Sequence, residues 1–391
     1  MTAILAWLMG RLPIGWLQLA HSRARLGAAV AGVAFANILV FVQLGILGAL
    51  NQSTVAPYEL FGGDIMISSV DANTLTDGSN VARVRMFQAL AVSGVVGAAP
   101  LYIGNLDWQR PDGRSSTLQS IGLDPGQLDF VPPALHGTMP HLLLADTVLL
   151  DASTRGLPSG ALDGVTPDRP YRFELSDRAL NAVGTVDVGG GFAADGTLYA
   201  SDQTFLRLFG NRSSAAPNHV LVNVGDGLAP QVVVERLRAV LPSDVVKVAT
   251  KADAAAADLA YQTTERPTGI IFGFGVVIGI IVGLVIVYQV LSTDVADHLR
   301  EYATFKAMGY GHPFFLGIVL EEAVILALFG FIPGVAIATG IYVAMSAATG
   351  LPLTMSPDLA AMVLIGTVLA CVISGALATR RLAAADPADL F

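Results

Sequence analysis

Three lysines, six histidines and one cysteine are the scarcest reactive side chains in this 391-residue sequence, and their spacing decides which chemistries it can support. A phosphate-binding loop of the Walker type needs lysine directly after glycine, so that backbone amides and one ammonium cradle the phosphates. Here Lys247 follows Val246, Lys251 follows Thr250 and Lys306 follows Phe305. Any ATP hydrolysis, with its Mg, therefore belongs to another polypeptide, and no cofactor is expected in this chain. His21, His136, His141, His219, His298 and His312 never fall into an HExxH spacing, and no GxSxG elbow occurs. His136 and His141 stand beside prolines and read as surface histidines rather than a ligand pair. Cys371 lies in an apolar run and reads as a small packed hydrophobe. Acidic residues between 51 and 268 are scattered, without the pairing that acid–base catalysis requires. No catalytic or metal-binding residue is assigned, and the chain reads as a non-enzyme.

One short stretch does combine unusual residue types. Residues 298–310, HLREYATFKAMGY, carry charge between two strongly apolar runs. At about 100° per residue, Leu299, Tyr302, Ala303, Lys306 and Tyr310 share one side of a helix, while Glu301, Thr304, Phe305 and Met308 share the other. A helix resting on a bilayer has one apolar and one charged face. Large apolar groups on both sides imply two packing partners, one of them a groove on another protein. The alternative is a connecting turn whose aromatic residues tuck against the chain's own spans. Under either reading Gly309, followed by Gly311 and Pro313, stops the helix sharply.

The flanking elements follow from composition. Hydrophobic residues make up 53% and charged residues only 14%, against about a quarter in soluble domains. The mean hydropathy of +0.61 points the same way, and the net charge of −9 argues against nucleic acid. Four runs are long enough to cross a bilayer, placing spans at 26–50, 269–291, 314–346 and 359–378. Residues 1–25, with Trp7 and Trp16, read as an interfacial segment rather than a signal peptide. Arg11, Arg23, Arg25, Arg300, Lys306, Arg380 and Arg381 all fall on one side of a four-span topology, while the loop 347–358 has no basic residue. The positive-inside rule then puts both termini, the connection 292–313 and the tail 379–391 in the cytoplasm. Residues 51–268 form a large extracytoplasmic domain. GDIMISSV (63–70) and HVLVNVGDG (219–227) read as strands, and 81–95 and 229–241 as amphipathic helices, so this domain is α+β.

Within the spans, Gly275, Gly279 and Gly283 repeat a GxxxG spacing that permits close helix contact. They are expected to form part of a homodimer face together with the first span; packing against the third or fourth span of the same chain is the competing use. Asn37 and Gln43 should make interhelical hydrogen bonds, since unpaired amides are costly in lipid. Glu321 and Glu322 stand at the entrance of the third span, within reach of the interface. Pro333 beside Gly334 predicts a kink or local unwinding.

These residues resemble a known family. EYATFKAMG is similar to the cytoplasmic signature of FtsX/MacB-type ABC transporter permeases, and more closely to DevC-type permeases. WLQLAHSRARL, GVAFANILVFVQLGILGAL, GTLYASDQTFLRLF (196–209), LFGFIPGVAIATGIYVA and the terminal ADPADLF agree with it. The similarity runs from about residue 13 to the end and is patchier across 71–195. The resemblance implies a membrane protein with four transmembrane helices, type VII ABC transporter-like, in a bacterial inner membrane. It implies a homodimer that binds two copies of a DevA-like ATPase through a coupling helix, which by position covers Leu299, Arg300, Glu301, Tyr302, Thr304, Phe305, Lys306, Met308 and Gly309. It also implies a DevB-like membrane fusion protein, a TolC-like outer-membrane channel reached through it, and an exported lipid-like or amphiphilic substrate such as a glycolipid. An acid near Glu321 or Glu322 is common in the family and would organise the cytoplasmic end, with Arg300 or Lys306 as partner. The other family role, that of FtsX, is signalling to periplasmic hydrolases without transport.

Overall fold

A computed structural model describes residues 14–21, 23–110, 112–158, 160–298, 304–305 and 308–384. Its helices are α1 (Ile14–His21), α2 (Arg23–Val55), α3 (Val84–Leu90), α4 (Asp202–Leu208), α5 (Pro230–Val240), α6 (Lys251–Thr264), α7 (Pro267–Asp297), α8 (His312–Thr349) and α9 (Pro357–Ala384). Nine strands accompany them: β1 (Ile65–Ser69), β2 (Val95–Gln109), β3 (Ser115–Leu123), β4 (Thr147–Asp151), β5 (Tyr171–Leu175), β6 (Arg178–Val186), β7 (Gly196–Ser201), β8 (His219–Val224) and β9 (Val246–Thr250). The chain divides into a helical unit (residues up to 47, 271–344 and from 353) and a sheet unit (48–270 and 345–352).

In the helical unit, α2, α7, α8 and α9 are each long and apolar enough to cross a membrane. A helix satisfies its own backbone, which lipid cannot do. Leu19, Val33, Leu291, Phe315, Ile318 and Cys371 belong to one buried cluster. Phe41, Ala338 and Val363 form a second, where the Tyr342 hydroxyl donates to the Phe41 carbonyl. α8 is not unwound at Pro333 but runs on as helix to Thr349. Pro333 brings no amide hydrogen to the Phe329 carbonyl one turn back. Packing holds the helix there: a Cβ on Gly334 would lie 3.0 Å from Asn37 Cβ and 3.3 Å from the Ala34 carbonyl.

In the sheet unit the strand order is β5-β6-β4-β7-β3-β2-β8-β1-β9, with β3–β7 and β4–β6 parallel and the other pairs antiparallel. The strands expected within 63–70 and 219–227 are β1 and β8, and α5 matches the helix expected over 229–241. The helix expected over 81–95 ends at Leu90, because Gly94 takes φ +99° and Val95 already opens β2. α4 lies over β2 and β3, and the Ser201 hydroxyl caps its first turn by accepting from the Thr204 amide. The fit depends on two glycines: a Cβ at Gly122 would sit 2.6 Å from Phe205 Cβ, and one at Gly104 would sit 2.7 Å from Phe209 Cε1. Gly122→Val is therefore expected to destabilise the sheet unit by about 1–3 kcal/mol, the usual range for overpacking. A lowered urea midpoint, followed by amide exchange in β2 and β3, checks this.

Candidate functional site

Of the expected coupling stretch, Thr304, Phe305, Met308 and Gly309 are placed; Leu299, Arg300, Glu301, Tyr302 and Lys306 lie outside the described residues. Phe305 and Met308, expected on one face, part company. Phe305 packs against the helical core, edge-on to Tyr310 at 5.8 Å and to Phe314 at 5.9 Å. Met308 stands 61% exposed. Gly309 brings Phe305 an aromatic partner from beyond the turn. Its φ of +93° turns the chain back, so that the Tyr310 amide donates to the Phe305 carbonyl at 3.1 Å and the ring of Tyr310 returns over Phe314. This is a glycine helix stop.

Glu321 and Glu322, both on α8, are buried. Glu321 Oε1 accepts from the Trp16 amide at 3.4 Å, near the start of the described part of α1. A Cβ on Gly15 would come within 2.9 Å of Glu322 Cγ, so α1 meets α8 only because that residue is glycine. Trp16 also stacks on Phe329 at 5.7 Å. Glu321 thus links α8 to α1.

The glycine repeat of α7 lies against α2 of the same chain, not against the third or fourth span expected as its in-chain partner. A Cβ at Gly275 would meet the Gln43 amide at 2.5 Å, one at Gly279 would meet Val40 at 3.3 Å, and one at Gly283 would meet Ala36 at 3.2 Å. Asn37 makes the expected interhelical bond, its Oδ1 accepting from the Thr367 hydroxyl at 2.6 Å.

The sheet unit holds a polar node that sequence spacing did not reveal. Asp258 on α6 accepts from the Tyr58 hydroxyl at 3.0 Å and from the Leu75 amide at 2.9 Å. On the other side of Leu75, its carbonyl lies 2.9 Å from His219 Nε2. That carbonyl can only accept, so Nε2 carries the proton, and Nδ1 accepts from the Ser68 hydroxyl at 2.8 Å. Arg266 pairs with Asp77, which holds the amides of Asn73 and Thr74. Burial pushes the His219 ring down to about 4 and raises the Asp258 carboxyl above its ordinary value. Beside the node lies a polar cavity of about 310 Å³, with Ser53, Asn105, Gln119, Gln262 and Arg266 in its wall. His136 Nε2 donates to the Val131 carbonyl at 2.8 Å, the ordinary partner expected of it. Among the described residues no group of three or more His, Cys, Asp or Glu is placed to hold a metal.

A family profile described as the FtsX-like permease C-terminal region matches residues 273–387, less than a third of the chain. No curated protein sequence matches the chain significantly. Among solved structures, the periplasmic region of MacB from Actinobacillus actinomycetemcomitans is similar at 12% identity, over 50% of this chain and 92% of that one, with a TM-score of 0.34. The extracellular domain of the ABC-type transporter YknZ from Gram-positive bacteria is similar at 10% identity, over 48% and 98%, with a TM-score of 0.32.

The node makes stability depend on pH. An unfolded histidine titrates near its ordinary value of about 6.5, whereas His219 stays neutral down to about 4. Between these values the unfolded chain binds more protons, so this contribution is complete above the upper value and shrinks as pH falls toward the lower one. It amounts to about 3 kcal/mol across the window. Protection of β1 and β8 amides against exchange should fall with pH in the natural chain, and this fall should flatten in His219→Gln.

Proposed function

We propose that the chain is the permease subunit of an ATP-driven transporter whose ATPase is a separate polypeptide. The observation that carries this reading is the FtsX-like permease match over 273–387, which spans α7, α8, α9 and the segment joining α7 to α8. Four long apolar helices and the lack of a glycine-preceded lysine agree with it. The finer reading is a homodimer that binds two ATPase copies, delivers a lipid-like or amphiphilic substrate outward, and hands it to a membrane fusion protein through the domain between the first two spans. The surface offered to the ATPase centres on Met308, an exposed apolar side chain on a segment that Phe305 anchors. Exposed, flexible methionine suits such a contact. ATP-driven closure of the partner moves this segment, and the spans carry the shift outward; the substrate-free variant of the same mechanism is signalling, as in FtsX.

Met308→Asp tests the docking claim, because its side chain lies outside the helical core, whereas Phe305→Asp would disturb packing. Co-purification with the partner ATPase should fall about tenfold or more, the loss typical of a contact hot spot, while thermal stability in detergent stays unchanged. Undiminished ATPase binding would refute the docking role. Export of amphiphile from proteoliposomes containing both subunits separates transport from signalling.

A further inference from the structure

The polar cavity of the sheet unit, about 310 Å³, has room for a small molecule, at the lower end of the usual range of about 300–1,000 Å³. Three deeply buried polar side chains belong to its wall: Gln119 at 7% exposed, Thr197 at 3% and Asp258 at 4%. Gln119 and Thr197 are neighbours across the parallel β3–β7 pair. Neither side chain has a hydrogen-bond partner among the described residues, so an amide and a hydroxyl are left to whatever fills the cavity. Phe192, 39% exposed, adds an aromatic ring on the side nearer solvent.

Asp258 sets the chemistry. Its Oδ2 takes the Tyr58 hydroxyl and the Leu75 amide, and Gln262 stands beside the carboxyl on the next turn of α6. These donors bring no charge. Among the described residues Asp258 makes no ion pair, because Arg266 in the same wall is held by Asp77 at 3.1 Å and lies over the Tyr261 ring. Asp77 adds negative charge of its own, which raises the Asp258 carboxyl on top of the larger effect of burial. Buried carboxylates are normally paired with a cation, and this one opens onto a cavity instead. A guanidinium fork wants both carboxylate oxygens, and Oδ2 is already taken. An ammonium is a compact charge whose several N–H donors can spread over separate oxygens.

We infer that this cavity binds a small primary amine, whose ammonium donates to Asp258 Oδ1 and to the side-chain oxygens of Gln119 and Thr197 while its hydrocarbon part faces Phe192. The site goes beyond the permease reading and does not depend on it, since binding needs neither an ATPase nor transport.

The full-length chain in phosphatidylcholine nanodiscs, without ATPase, is titrated calorimetrically with tyramine, tyrosol and 4-hydroxyphenylacetate, and the heats from empty nanodiscs are subtracted. The three probes share one ring and differ in carrying an ammonium, a hydroxyl or a carboxylate. Tyramine should bind about tenfold or more tighter than tyrosol, the worth of one charge-assisted hydrogen bond, and the acid should bind weakest. Asp258→Asn keeps the shape and an acceptor for Tyr58, so tyramine should fall to the affinity of tyrosol while tyrosol itself is unchanged. Gln119→Leu should weaken tyramine about fivefold. Equal affinities for the three probes in the natural chain, an amine preference that survives Asp258→Asn, or binding indifferent to Gln119→Leu would each overturn the assignment. Displacement of tyramine by Ca²⁺ would give the site to a metal ion and also overturn it.

Discussion

Lipid exerts no hydrophobic force between helices, because its tails are as apolar as leucine, so spans hold together only where their backbones come close. In this chain that constraint falls on α2. Its Ala36, Val40 and Gln43 meet the glycines of α7, and its Val33, Ala34 and Asn37 meet Gly330 and Gly334 of α8. The relation also runs in reverse. Gly32 of α2 receives Ile286 of α7 at 2.9 Å, and Gly45 of α2 receives the ring of Tyr342. Each contact exists because one partner lacks a side chain. Dispersion over many such atoms is individually small and collectively large.

Once the helices are that close, the few polar groups between them must find partners across the seams. The Ser374 hydroxyl donates to the Leu284 carbonyl at 3.2 Å, and Tyr342 does the same toward Phe41. Glu321 joins α8 to α1. These bonds fix the rotation of each helix about its axis, which apolar contact alone leaves loose.

Much of this was legible in the residues, and the failures have physical reasons. Each apolar run coincides with a long helix, although α2 continues to Val55 and α8 starts at His312, because a helix need not stop where its apolar residues do. Alternation marked β1 and β8, whose two-residue period is plain. The GxxxG spacing in α7 told how closely a neighbour could approach and nothing about which neighbour it was. A helical wheel put Phe305 and Met308 together, but the left-handed turn at Gly309 gives Phe305 its own aromatic partners. The Asp258 node escaped notice because Tyr58 and Leu75 are 200 and 183 residues away from it, and no spacing rule reaches that far.

The fifteen residues of β2 have a consequence of their own. Val95–Leu101 pair with β8, and Tyr102–Gln109 pair with β3. One continuous strand is thus the shared edge of two β-subassemblies, one carrying α5 and the other α4. Each pairs with its own half of that strand, so the two are joined through one backbone whose distortion both would feel. Opening free energies should be pooled across the whole sheet unit rather than split into separate foldons. An external pull on either subassembly would meet the resistance of both.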